Sequence, residues 1–101
     1  MNARESKLAA IQSEIARERA ESLSRGAQRL RGSLDNLRQF DAGHLMQKGR
    51  EQLLCEASAA CLAYLVQREI MGFGAQDAHA IRKDFAIPGD VWDRMGAIRQ
   101  E

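Results

Sequence analysis

The stretch MNARESKLAAIQSEIARERAESLSRGAQRLRGSLDNLRQF, residues 1–40, decides the architecture of this chain. Its apolar positions are Leu8, Ile11, Ile15, Leu23, Ala27, Leu30, Leu34 and Leu37. Apart from one gap they are spaced by threes and fours, and the Leu and Ile among them fall within an arc of about 140° on a helical wheel. A strand would alternate with period two, so this spacing predicts a single amphipathic helix. Asn2 followed three positions on by Glu5 has the form of a capping box and predicts the start. Phe40-Asp41-Ala42-Gly43 predicts the stop, with Gly43 a candidate C-cap. Gly26 and Gly32 each cost about 1 kcal/mol relative to Ala in a helix interior, which makes either a site for a bend or a fold-back.

Outward from that helix, LLCEASAACLAYLV at residues 53–66 is the longest apolar run, interrupted by Glu56 and Ser58. It is too short to span a bilayer and suits a buried helix. A second helix is expected from about His44 to Met71. Its main face carries Met46, Leu53, Leu54, Ala57, Ala60, Cys61, Tyr64, Leu65 and Met71. Cys55, Ala59, Leu62 and Val66 form another stripe, so this helix is expected to be central, packed between neighbours. Gly72 and Gly74 end it. A short third helix is expected from about Ala75 to Phe85 and a fourth after Pro88, whose missing N–H is no loss in a first turn. Val91, Trp92, Met95 and Ile98 are expected to pack the fourth helix inward. One proline and no alternating Val/Ile/Thr run complete an all-α reading. The expected fold is a helical bundle in one domain, 1–101, completed by dimerisation. Residues 2–41 form a long oligomerisation helix, and residues 44–101 form the compact core.

Charge is nearly balanced, with fifteen basic and fourteen acidic residues, which gives no general attraction to polyanions or anionic membranes. The split is mild: residues 1–40 hold eight basic and five acidic side chains, and residues 41–101 hold seven and nine. The charged N-terminus is no secretory signal. A cytoplasmic location is therefore expected, with Cys55 and Cys61 as reduced thiols on different faces of one helix.

The segment MGFGAQDAHAIRKDF, residues 71–85, gathers the groups most suggestive of chemistry. A phosphate loop follows a strand and needs further glycines or a Gly-Lys-Ser/Thr. Gly72-Phe73-Gly74 follows a helix and has neither, which favours a helix C-cap with a positive-φ turn. Met71-Gly72-Phe73, with Ala78 downstream, resembles the end of the first helix of ubiquitin-associated domains over about ten residues. The Ala-Leu pair and polar turn of that family are not reproduced. The resemblance implies that Met71-Gly72-Phe73 is partly exposed. His79 and Asp84 are five apart, not the i,i+4 of a helical metal pair, and no Cys-x-x-Cys, His-x-x-x-His or Glu-x-x-His occurs. No serine sits on a Gly-x-Ser-x-Gly elbow, Cys61 lies amid apolar neighbours, and Glu56 falls on an edge with Gln52 and Gln67. A non-enzymatic protein without metal or cofactor is expected.

Arginine outnumbers lysine twelve to three, but the arginines of the first helix scatter around its circumference among glutamates. Arg19 lies near the middle of the apolar stripe, and Arg50 and Arg68 bracket the main face of the second helix. A thirty-five-residue helix spans roughly 50 Å, whereas a compact domain of this size is about 30 Å across. Residues 41–101 cannot cover the whole stripe. The expected interface is Leu8, Ile11, Ile15, Arg19, Leu23, Leu30, Leu34 and Leu37, paired as a coiled coil with a second copy. The function expected is a homo-oligomerising interaction or adaptor module, with another protein as a further partner. The alternative is a nucleic-acid-associated regulator using arginines of paired first helices; a small-molecule pocket near Trp92 is a third.

Overall fold

The computed structural model describes residues 2–74 and 77–100, with side chains to residue 98. Four helices follow in order: α1 (Ala3–Asp41), α2 (Arg50–Ile70), α3 (Asp77–Asp84) and α4 (Gly89–Gln100). The described residues are all-α, with no strand among them. The long axis is 62 Å against 28 and 23 Å for the others. α1 accounts for it, since thirty-nine residues at a rise of 1.5 Å reach about 58 Å.

α1 opens as its sequence predicts. The Asn2 side chain accepts from the Glu5 amide at 2.9 Å, and the Glu5 carboxylate accepts from the Asn2 amide. The helix runs unbroken through Gly26 and Gly32. A fold-back is therefore replaced by one continuous rod. It ends in a Schellman turn, with Gly43 at φ 91° and its amide donating to the Phe40 carbonyl while His44 donates to Gln39. The same turn ends α2 at Gly72 (φ 99°) and α3 at Ala86 (φ 51°), so the Gly-Phe-Gly segment closes a helix. The expected third-helix start at Ala75 lies outside the described residues.

α2 begins at Arg50, later than the expected His44. Residues 44–49 are loop because Gly49 takes an extended conformation as N-cap (ψ 165°). That placement lets Arg50 reach back to Asp41. In the loop Leu45 is fully exposed, while Met46 packs on the core.

The core lies where the second half of α1 packs along α2, with α4 also packed on α2. Leu30, Leu34, Leu37, Leu53, Ala57, Cys61 and Val91 are at most 1% exposed. This corrects two expectations. The core is shared with α1 instead of being confined to residues 44–101. Leu30, Leu34 and Leu37 belong to the interior of their own chain, so they are not available to a second copy. The reason is close approach at Gly26: a Cβ there would lie 2.8 Å from Gln67 Oε1 and 3.2 Å from Tyr64 Cδ1. With only hydrogens at that point, α2 settles onto the stripe. Ser58, the one buried polar residue of the described core, donates to the Leu54 carbonyl at 2.7 Å. Ile98, expected inside, is 42% exposed.

Candidate interaction surface

From Ala3 to Glu21 every residue of α1 is exposed. This arm is held helical by its cap, by alanines of high propensity and by pairs such as Arg17 with Glu14 one turn away. Packing contributes little to it. Yet Leu8 is 56% exposed, Ile11 57% and Ile15 43%, all on one face. Arg19 is exposed beside them, and Leu23 is half-buried where the arm meets the body. The expected interface is thus divided: Leu8, Ile11, Ile15 and Arg19 face solvent, Leu23 marks the border, and Leu30, Leu34 and Leu37 are interior.

A second apolar patch was legible in the sequence only at Phe73, whose partial exposure the resemblance implied. Val66, Ile70 (81% exposed) and Phe73 lie open at the C-terminal end of α2. That end is beside the base of the arm, because Gln67 of α2 donates to the Ser22 hydroxyl of α1 and Tyr64 lies over Gly26.

The arginines largely brace the fold. Arg50 donates to both carboxylate oxygens of Asp41 (2.8 and 3.1 Å) and to Asp90 (2.8 Å), tying the end of α1 and the starts of α2 and α4. Those hydrogen bonds, Asp41 first, raise the Arg50 pKa and hold both aspartates below the usual carboxylate value. Arg38 donates to the carbonyls of Phe85 (2.8 Å) and Ala86 (3.0 Å), satisfying acceptors in the turn after α3. Arg68 pairs with Asp77 and lies over the Phe73 ring at 4.1 Å. Arg31 lies over Phe85 and Arg82 over Trp92, and Arg94 pairs with Glu51. Sequence spacing flagged Arg50 and Arg68 as unusual; their aspartate partners, nine residues or more away, carry no local signal.

The remaining chemical groups do not converge. Among the described residues no cluster of three His, Cys, Asp or Glu side chains could hold a metal ion. His79 is exposed, and Glu56 pairs with Lys48 at 2.7 Å. Cys55 is exposed, and its thiol donates to Glu51 at 3.8 Å. Cys61 is buried against the Met95 sulfur at 3.4 Å, and burial pushes its thiol up to about 11. An open depression of about 320 Å³ is lined by Asn36, Leu45, Met46, Gln47, Lys48 and Leu53. Trp92 is not part of it. Met71 is half-buried and Phe73 exposed. No described helix is long and apolar enough to cross a membrane.

The fold defines a small all-α protein whose first helix continues well beyond its bundle. The chain belongs to a family of unknown function, DUF6665, whose profile matches residues 1–101. Neither a curated protein nor a solved structure matches it.

Proposed function

We propose that this protein is a non-enzymatic, homo-oligomerising interaction module that works through the N-terminal half of α1. One observation carries the reading: Leu8, Ile11 and Ile15 stand on one face of a helical arm that its own chain leaves uncovered. A solvated arm has no need of apolar residues spaced three and four apart. Apolar strips of this kind on soluble proteins mark places where another surface docks. Two-fold pairing of identical subunits is the commonest arrangement of soluble oligomers, and an arm of this shape offers the same face to a second copy. A dimer would present two compact bodies on a rigid helical spacer, a geometry suited to an adaptor acting in the cytoplasm. Six of the twelve arginines are engaged in bracing the body (Arg31, Arg38, Arg50, Arg68, Arg82 and Arg94). That use favours a protein partner over nucleic acid.

The test is mass in solution over a concentration series. Light scattering on a sizing column should show a species of twice the chain mass at tens of micromolar. Ile11→Lys should reduce it to a monomer of unchanged helical content.

A further inference from the structure

The direction of the pairing follows from where α2 sits on α1. Ser22 and Gly26, the α1 residues against Gln67 and Tyr64 of α2, share the face of the arm's apolar residues. At about 100° per residue, Leu8, Ile11, Ile15, Ser22 and Gly26 all fall inside an arc of about 60°. α2 therefore runs along the same track that the exposed arm presents further out, and it stops partway. Ser22 opposite Gln67 and Gly26 opposite Tyr64 define an antiparallel pairing. Extended at about equal rise on both helices, it sets Ile70, the last residue of α2, level with about Arg19. Beyond that point the track is vacant for about sixteen residues, roughly 24 Å. Ile70, 81% exposed, is open at its inner end.

We propose that the arm of a second copy fills this vacant track in antiparallel orientation, so that each arm lies end-on to the partner's α2 and the two bodies sit at opposite ends of the dimer. This rests on the homo-oligomer reading and goes further by fixing its geometry. Parallel pairing on this face is sterically barred. α1 is one continuous helix to Asp41, so a parallel neighbour beside the arm would run on into the space that α2 already fills. An antiparallel neighbour enters with its N-terminus and runs away from the body. Its tip must stop short of Ile70, which places the two-fold axis near residues 9 and 10. In that register Leu8 of one copy opposes Ile11 of the other, twice over.

On one flank of the apolar face the charges agree with the same register. Along the flank of the apolar face, Lys7 stands near the tip and Glu14 in the middle of the arm. Antiparallel overlap brings this same flank of the two copies together, with Lys7 of each within a turn of Glu14 of the other, whereas in a parallel pair it faces the partner's opposite flank. The open Ile70 is then met end-on by the partner's tip. About fifteen residues a side is fewer than the 20–30 of a standard interface, which puts the dimer among weak, reversible associations.

A single distance separates the outcomes. A spin label at Gln28→Cys, an exposed position on α1 within the body, is introduced with Cys55→Ser to remove the exposed native thiol. The antiparallel dimer sets the two labels about thirty-seven helical residues apart, a distance of roughly 55 Å by pulsed dipolar spectroscopy. Light scattering on the same sample reports the mass. A dimer with labels near 55 Å supports the inference. A dimer with labels closer than about 30 Å, as parallel helices would give, overturns the geometry and leaves the homodimer reading standing. A monomer at tens of micromolar overturns both, and would mean that the arm serves a different protein.

Discussion

Gly26→Ala and Gly32→Ala are the same chemical change, six residues apart on one helix, and they should move stability in opposite directions. In isolation each replacement favours the helix by about 1 kcal/mol. At Gly32 nothing lies within 4 Å of the new Cβ, so the gain is retained and the protein is stabilised by about 1 kcal/mol. At Gly26 the new methyl would sit 2.8 Å from Gln67 Oε1 and 3.2 Å from the Tyr64 ring. The Gln67 side chain can turn away, but only by giving up its hydrogen bond to Ser22, worth about 0.5–1.5 kcal/mol. The Tyr64 ring also packs edge-on against Phe85, with centroids 5.5 Å apart. It must be displaced or the helices must separate, and overpacking of this kind costs about 1–3 kcal/mol. The balance is a loss of about 1–2 kcal/mol for Gly26→Ala once the propensity gain is subtracted. Thermal melting followed by circular dichroism should resolve it, since each kcal/mol moves the midpoint by about 4–8 °C in a domain of this size. Equal stabilisation by the two variants would refute the close crossing of α1 and α2 at Gly26, and with it the shared track on which the dimer geometry depends.

Ala86 holds a left-handed conformation (φ 51°) at the end of α3, so Ala86→Gly should raise the urea midpoint, by about 1 kcal/mol of stability. Phe85→Ala removes an edge-on contact with Tyr64 and the ring beneath Arg31. Because Phe85 is only half-buried, it should cost about 2–3 kcal/mol, at or below the low end of the range for core aromatics. His79→Ala, at an exposed position, should stay within about 0.5 kcal/mol in the same denaturation assay. Cys55 should react with iodoacetamide as an open thiol while Cys61 stays protected, and mass spectrometry of the labelled peptides reads both. The folded state keeps the Cys61 proton to about pH 11, whereas the free thiol releases it at 9.0. Its contribution is therefore full below pH 9 and should be lost as pH rises towards 11, a trend absent in Cys61→Ala.

The helix types and the capping box at Asn2 were legible because they depend on residues within one or two turns of each other. The placement of the stripe was only half legible. Leu30 and Leu34 carry the same spacing as Ile11 and Ile15, and periodicity alone cannot distinguish a face covered by its own chain from one left open. The difference lies in Gly26, which reads in sequence as a weak point and acts in three dimensions as the seat of Tyr64. Lys at Leu23, Leu30 and Leu34 together would therefore unfold the body and say nothing about pairing. Arg50 illustrates the same limit, since its partners Asp41 and Asp90 belong to two other segments. The late start of α2 depends on that contact and on the extended Gly49, neither of which the apolar pattern around Met46 reveals. Exposure at Phe73 was legible through the short resemblance around it, but that of Val66 and Ile70 depends on where α2 ends beside the longer α1.

The pairing of the arm with a second copy is tested most directly by the mass of the intact protein against concentration. The chain weighs 11.3 kDa. Light scattering should give twice that value at tens of micromolar and fall towards the single-chain value on dilution. Ile11→Lys with Ile15→Lys should remain monomeric throughout while melting as a folded body, because neither residue belongs to the core. A wild-type protein that keeps the single-chain mass at tens of micromolar, or a double variant that dimerises as well as the wild type, would contradict the account.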